Sequence, residues 1–186
     1  MRKIAFFLVS VLVALVFQEA DLLFAQEKKS SVEELYNAGY LLTLLGHHEE
    51  ALRLYDKSLA IRPTAEAYTY KGWTLSHMGE HKRAIEEAEK AIRVDPEFGN
   101  PYNDIGVYLI ELGREDEAIA YLEKAKRAKR YCCYQFPHFN LGRIYLKKEQ
   151  YEKARQEFKK SLEIDPDYDP ARMGLELLKH LGGEKT

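Results

Sequence analysis

Apolar residues recur along this chain at helical spacing, in paired runs separated by short polar breaks. Leu35, Ala38, Leu42 and Leu45 are three, four and three residues apart, which puts their side chains on one face of a helix. After a break, Ala51, Leu52, Tyr55 and Leu59 keep the same spacing, as do Ala84, Ile85, Ala88, Ala91 and Ile92 further on. Between paired runs stand Gly46, Gly79 and Gly113, where a helix can end in a left-handed residue at no steric cost. Pro63, Pro96 and Pro166 follow three of the pairs, because proline cannot continue the helix before it. The pattern predicts successive helix–turn–helix units.

The units are regular in register. Gly39, Gly72, Gly106 and Gly142 are separated by 33, 34 and 36 residues, and each is followed twelve residues later by an alanine: Ala51, Ala84, Ala118 and Ala154. A period of this size marks a repeat architecture. Small residues at these positions let the two helices of a unit approach closely where they cross. One unit buries little by itself; stacking supplies the continuous core.

These columns resemble the tetratricopeptide repeat family. The first unit presents Leu35, Ala38, Gly39, Leu42, Gly46, Ala51, Tyr55, Ser58 and Pro63 at the family's positions; the second presents Tyr68, Gly72, Leu75, Gly79, Ala84, Ala88, Ala91 and Pro96. The third has Tyr102, Gly106, Leu109, Gly113, Ala118, Leu122 and Ala125, and the fourth His138, Leu141, Gly142, Tyr145, Ala154, Phe158, Ser161 and Pro166. The resemblance runs from Val32 to about Gly182. It implies an all-α fold, a right-handed superhelical solenoid of antiparallel helix pairs, with repeats at 32–64, 65–98, 99–134 and 135–168 and a capping helix at 169–183. Departures fall where Arg130 replaces the proline, where two extra residues lie within Arg130–Tyr134, and where Glu149 replaces the turn glycine. Ser31 with Glu34 reads as a capping box, and Asn100-Pro101 and Asp169-Pro170 as caps followed by a first-turn proline. In the last helix Ala171, Leu175 and Leu178 share one side and Arg172, Glu176 and Lys179 another, as a cap facing solvent would.

Upstream, Met1-Arg2-Lys3 precedes a fourteen-residue apolar run, Ile4 to Phe17, broken only by Ser10. As a helix this run reaches about 21 Å, short of a hydrocarbon core of about 30 Å. Extending it to Ala25 would bury Glu19 and Asp21, at about 2.5 to 3.5 kcal/mol for a central acid. Residues 1–25 therefore read as a secretory signal cleaved after Ala25, followed by a linker at 26–31. The alternative is an uncleaved membrane anchor, since Leu23 stands where a small residue is preferred. The expected location is exported, periplasmic or secreted, with membrane contact only through an uncleaved N-terminal segment.

Net charge −2 with 31% charged residues gives no basic footprint, so nucleic acid is not an expected partner. Motifs of hydrolases, phosphate loops and zinc sites are lacking in the sequence. His77 and His81 have a metal-compatible spacing, but Gly79 breaks the helix between them, and His47 and His48 read as turn residues. No catalytic residue, metal or cofactor is expected. Cys132 and Cys133 are adjacent; a vicinal bridge, an intermolecular disulfide and two packed thiols are all open, with the last favoured.

The resemblance also implies where a partner lands, because in this family the first helix of each repeat lines a concave groove. Carried over position by position, that surface comprises Tyr36, Tyr40, Thr43 and Leu44; Thr69, Trp73, Ser76 and His77; Asn103, Val107, Ile110 and Glu111; and Phe139, Arg143, Leu146 and Lys147. Tyr36, Tyr40 and Trp73 read either as aromatic anchors for a partner or as rings that fill the space between neighbouring first helices, and Asn103, Asn140, Arg143 and Lys147 as the polar contacts. The expected role is a non-enzymatic adaptor holding a peptide or protein segment, in envelope assembly or secretion. The second reading is a homo-oligomeric scaffold that self-associates through the cap helix, the groove or Cys132-Cys133.

Overall fold

The computed structural model describes residues 31–181; the expected signal segment and most of the linker, and the end of the chain after Leu181, lie outside the described residues. Among those described, every regular element is a helix. They are α1 (31–44), α2 (His48–Ile61), α3 (Ala65–His77), α4 (His81–Val94), α5 (Gly99–Glu111), α6 (Glu115–Ala125), α7 (Gln135–Lys147), α8 (Tyr151–Ile164) and α9 (Asp169–Leu181). The chain divides into two compact units at Arg62/Pro63.

In the first unit α1 and α2 run antiparallel. Gly39 lies against the Tyr55 ring, where an added Cβ would stand 2.7 Å from a ring carbon. Tyr55 is fully buried, its hydroxyl sharing a 3.1 Å hydrogen bond with the Thr43 hydroxyl, and Ser58 donates to the Val32 carbonyl at 3.0 Å. Ala51 is likewise fully buried.

The second unit holds the pairs α3/α4, α5/α6 and α7/α8, closed by α9. The helices within each pair cross at Gly72, Gly106 and Gly142, where a Cβ would meet the Ala84 carbonyl oxygen at 2.9 Å, Leu122 at 2.5 Å and Phe158 at 2.5 Å. Ala84, Ala118 and Ala154 have no exposed surface. Ser161 donates to the Gln135 carbonyl at 2.9 Å, repeating the Ser58 device of the first unit. Ala88, Ile105, Leu109, Leu122, Leu141 and Ile144 form one core running from pair to pair, and Phe158, Ala171 and Leu178 continue it beneath α9. The backbones of the first helices α3, α5, α7 and α9 approach one another in turn, whereas those of α4, α6 and α8 stay further apart. The array within this unit therefore bends with its first helices on the inner side.

All four intra-repeat turns are built alike. Gly46 donates to the Thr43 carbonyl and His47 to Leu42; Gly79 to Ser76 and Glu80 to Leu75; Gly113 to Ile110 and Arg114 to Leu109; Glu149 to Leu146 and Gln150 to Tyr145. This double bond pattern is the Schellman ending, which needs a left-handed residue. Three glycines take it at φ 71 to 81°, and Glu149 takes it at φ 57°.

Helix starts differ from expectation. Ser31 is already helical and does not serve as the cap. The α5 cap is Phe98, so Pro101 is the third helical residue, and Asp169 is itself the first residue of α9. The shift at α5 has a distant cause: Phe98 and Arg130 form a parallel bridge in which Gly99 donates to the Arg130 carbonyl at 3.0 Å and Arg130 to Glu97 at 2.9 Å. The Arg130 side chain then pairs with Asp95 at 2.6 Å and Glu66 at 2.8 Å and lies over the Phe98 ring at 4.0 Å. Where the other repeats use proline, the third uses this latch. Cys132 and Cys133, favoured as free thiols, are instead joined as a vicinal disulfide, with Cys133 packed toward Ala125, Ala128 and Tyr131.

Candidate partner-binding surface

In the first unit, Tyr40 is exposed and Tyr36 half-buried on α1, and Leu44 is exposed beside them. Thr43 does not join that surface. It is 4% exposed, its hydroxyl donating to the Gly39 carbonyl at 3.0 Å and meeting Tyr55.

In the second unit, Trp73 is half-buried on α3 with the exposed His77 imidazole edge-on at 4.5 Å. Thr69, one turn earlier, is buried and donates to the Ala65 carbonyl at 2.7 Å, so it too belongs to the packing. Both threonines satisfy a helical carbonyl four residues back, the local alternative open to a hydroxyl on a buried helix face.

The middle of the inner side is polar and internally bonded. Asn140 donates its amide to Asn103 at 3.1 Å, tying α7 to α5, and Arg143 reaches Asn140 at 3.4 Å and Glu111 at 3.9 Å. Lys147 pairs with Glu115 at the start of α6. Arg143, Lys147, Glu115, Ile110, Ile144 and Leu146 line a cavity of about 300 Å³ with an aliphatic floor and a charged rim. Val107 is half-buried on the same helix as Asn103. Phe139 is a correction of another kind: it packs on Phe158 at 5.9 Å and edge-on to Tyr168 at 5.3 Å, so its ring serves the core under α9, and Arg143 lies 5.9 Å from its centroid.

Several polar groups held largely away from water escaped the sequence. Burial pushes the Asp104 carboxyl up to about 7, against the hydrogen bond from Asn103, which favours ionisation. The hydroxyls of Tyr108 and Tyr131 are buried without a hydrogen-bond partner, and burial followed by the Asp104 charge raises both phenols. On α8, burial alone would raise Glu157, but the 2.6 Å contact with His138 and the nearby Lys126 and Lys160 hold it below its usual value. Among the described residues, no three His, Cys, Asp or Glu side chains are grouped to hold a metal ion, and no helix is long and apolar enough to cross a membrane.

A further feature was missed: besides Leu44, which the groove reading already placed at the surface, Leu41 and Leu45 on α1 and Met173, Leu177 and Leu181 on α9 are 45 to 68% exposed. The α9 stripe was visible in the sequence at spacing four, but α9 carries two apolar stripes, and spacing alone does not say which one faces the core.

Paired helices crossing at small residues, identical left-handed turns and an inner side made of first helices define a superhelical repeat protein. Tetratricopeptide repeat models match residues 31–97, 71–131 and 136–168, and the chain belongs to the tetratricopeptide repeat family. Its architecture is similar to that of solved structures of this kind. Pseudomonas aeruginosa PilF matches with a TM-score of 0.79 at 24% identity, over 84% of this chain and 71% of that one. PilW, described as a widely conserved type IV pilus biogenesis factor, matches at 0.75 and 22%, over 82% and 70%. YrrB, described as a tetratricopeptide repeat protein with an unusual peptide-binding site, matches at 0.62 and 24%, over 86% and 82%. At these identities the likeness concerns the fold. The chain spans 14 to 29% of the length of the first curated relatives it matches.

Proposed function

We propose that this protein is a non-catalytic adaptor that holds a peptide or protein segment against the inner side of its first helices. The observation that carries this reading is the inner side of the second unit. There Trp73 and His77 stand on α3 ahead of the Asn103–Asn140 pair and the cavity rimmed by Arg143 and Lys147. Such a surface offers an aromatic anchor for a side chain and amide and guanidinium groups for a peptide backbone or carboxylate. The first unit, taken by itself, presents Tyr36 and Tyr40 on α1.

The working location is the cell envelope or beyond it, in assembly or secretion. Support comes from the signal-like residues 1–25 and from the likeness to a pilus biogenesis factor. The peptide-binding description of YrrB supports the choice of ligand class.

Immobilised wild-type protein and a Trp73→Ala variant are to be compared for what each captures from the envelope fraction of the source cells. The reading expects a protein retained by the wild type and lost by the variant, with helical content equal in both. Equal capture by the two would remove Trp73 and this face from the function.

A further inference from the structure

Leu41 stands at the repeat position occupied by Tyr108 in the third repeat and Ile144 in the fourth, and Ala38 at the position of Ile105 and Leu141. Those four side chains are 0 to 2% exposed. Their side of the helix is the one that the preceding repeat's second helix covers: His81, at the start of α4, stacks on Tyr108 at 6.4 Å between ring centroids. On α1 the same side is open. Leu41 is 57% exposed and Leu45 64%, and Ala38 is exposed with them. A helix side shaped by the repeat to receive a second helix thus meets solvent in the described structure.

The other half of such a joint is carried by α9. Its Ala171 and Leu178 are fully buried beneath the last repeat, while Met173, Leu177 and Leu181 form a second stripe that is exposed. Met173 to Leu181 spans about 12 Å along the helix and Ala38 to Leu45 about 10 Å, so the two stripes match in length. Second helices run antiparallel to the first helices they cover. Seated in that direction, the Leu181 end of α9 lies against the Ala38 end of α1 and Met173 against Leu45.

We propose that a second copy of this chain covers α1: the exposed stripe of α9 from one copy occupies the place of the missing second helix on α1 of the next. The two surfaces are different, so the contact is heterologous, and each copy keeps one open α1 and one open α9. Association then runs head to tail, as a closed ring or an open array.

The test uses protein recovered from cells expressing the full-length chain, in whatever form the cells leave it. Molar mass is measured by light scattering over a wide concentration range, with and without reductant. The wild type is expected to gain mass in whole-chain steps as concentration rises, independently of reductant. Leu41→Glu closes the receiving face and Leu177→Glu closes the inserting face, so each variant alone is expected to stay a monomer. Mixed in equal amounts they are expected to form a dimer and nothing larger, because α9 of the first still fits α1 of the second. A wild type that stays monomeric throughout overturns the proposal, as does a mixture that remains monomeric. Loss of association in one variant only points to pairing of identical faces and overturns it as well. Thermal melting followed by circular dichroism checks that the variants fold; should either fail, Leu45→Glu mixed with Met173→Glu repeats the same test at neighbouring exposed positions.

Discussion

Gly72→Ala asks whether close helix approach sets the repeat geometry. In a solvated helix this change stabilises by about 1 kcal/mol, because glycine is the poorer helix former. At position 72 the new Cβ would stand 2.9 Å from the Ala84 carbonyl oxygen and 3.6 Å from the Ala88 nitrogen. These are backbone atoms of a helix whose alanines are buried, with Ala84 itself bonded to the Glu80 carbonyl at 3.0 Å, so no side chain can swing aside. The helices must separate by about half an ångström to restore ordinary contact, and overpacking of this kind costs about 1 to 3 kcal/mol. Set against the propensity gain, the net expectation is a loss of about 1 kcal/mol and a melting temperature lower by about 4 °C. Urea and thermal unfolding of wild type and variant, with the exposed Glu86→Ala as a reference for helix propensity, measure it. A Gly72→Ala protein as stable as the wild type, or more so, would refute close approach as the reason for glycine here.

Three further outcomes follow from the same geometry. Glu149→Gly relieves a left-handed residue at φ 57° and is expected to stabilise by about 1 kcal/mol, read as a rise in melting temperature. Asp104 keeps its proton in the folded chain up to about pH 7, whereas an unfolded aspartate ionises near 3.9. Its contribution is therefore complete below about pH 4 and is lost as pH rises through 7, and Asp104→Asn should flatten the fall in melting temperature between pH 5 and 8. Arg130→Ala removes the contacts to Asp95, Glu66 and Phe98; since the side chain is half-exposed, a loss of about 1 kcal/mol is expected, shrinking in high salt.

Much of this fold is legible because it repeats. One glycine in a helix is ambiguous, but four in register, each with an alanine twelve residues on, identify the crossing points that the structure then fills with Tyr55, the Ala84 backbone, Leu122 and Phe158. Turn glycines are equally readable, yet Glu149 shows that the hydrogen-bond pattern selects the turn and glycine only eases it. What the periodicity does not carry is anything set by residues distant in sequence. The Phe98–Arg130 bridge moves the α5 cap two residues from the Asn-Pro signal, and neither sequence neighbourhood hints at the other. The groove positions show the same limit. A family frame says which way a residue points, but Thr43 and Thr69 turn their hydroxyls onto their own helix, and Phe139 is drawn under α9 by Phe158 and Tyr168.

The adaptor role is tested most directly by a photo-crosslinking residue placed at position 73 on the inner side and, separately, at Glu86 on α4, with crosslinking carried out in the living source cells. An adaptor working through its first helices predicts a discrete protein product from position 73 that is absent from position 86 and weakened by Arg143→Ala. The same products from both positions, or a product from Glu86 alone, would contradict that role for this face.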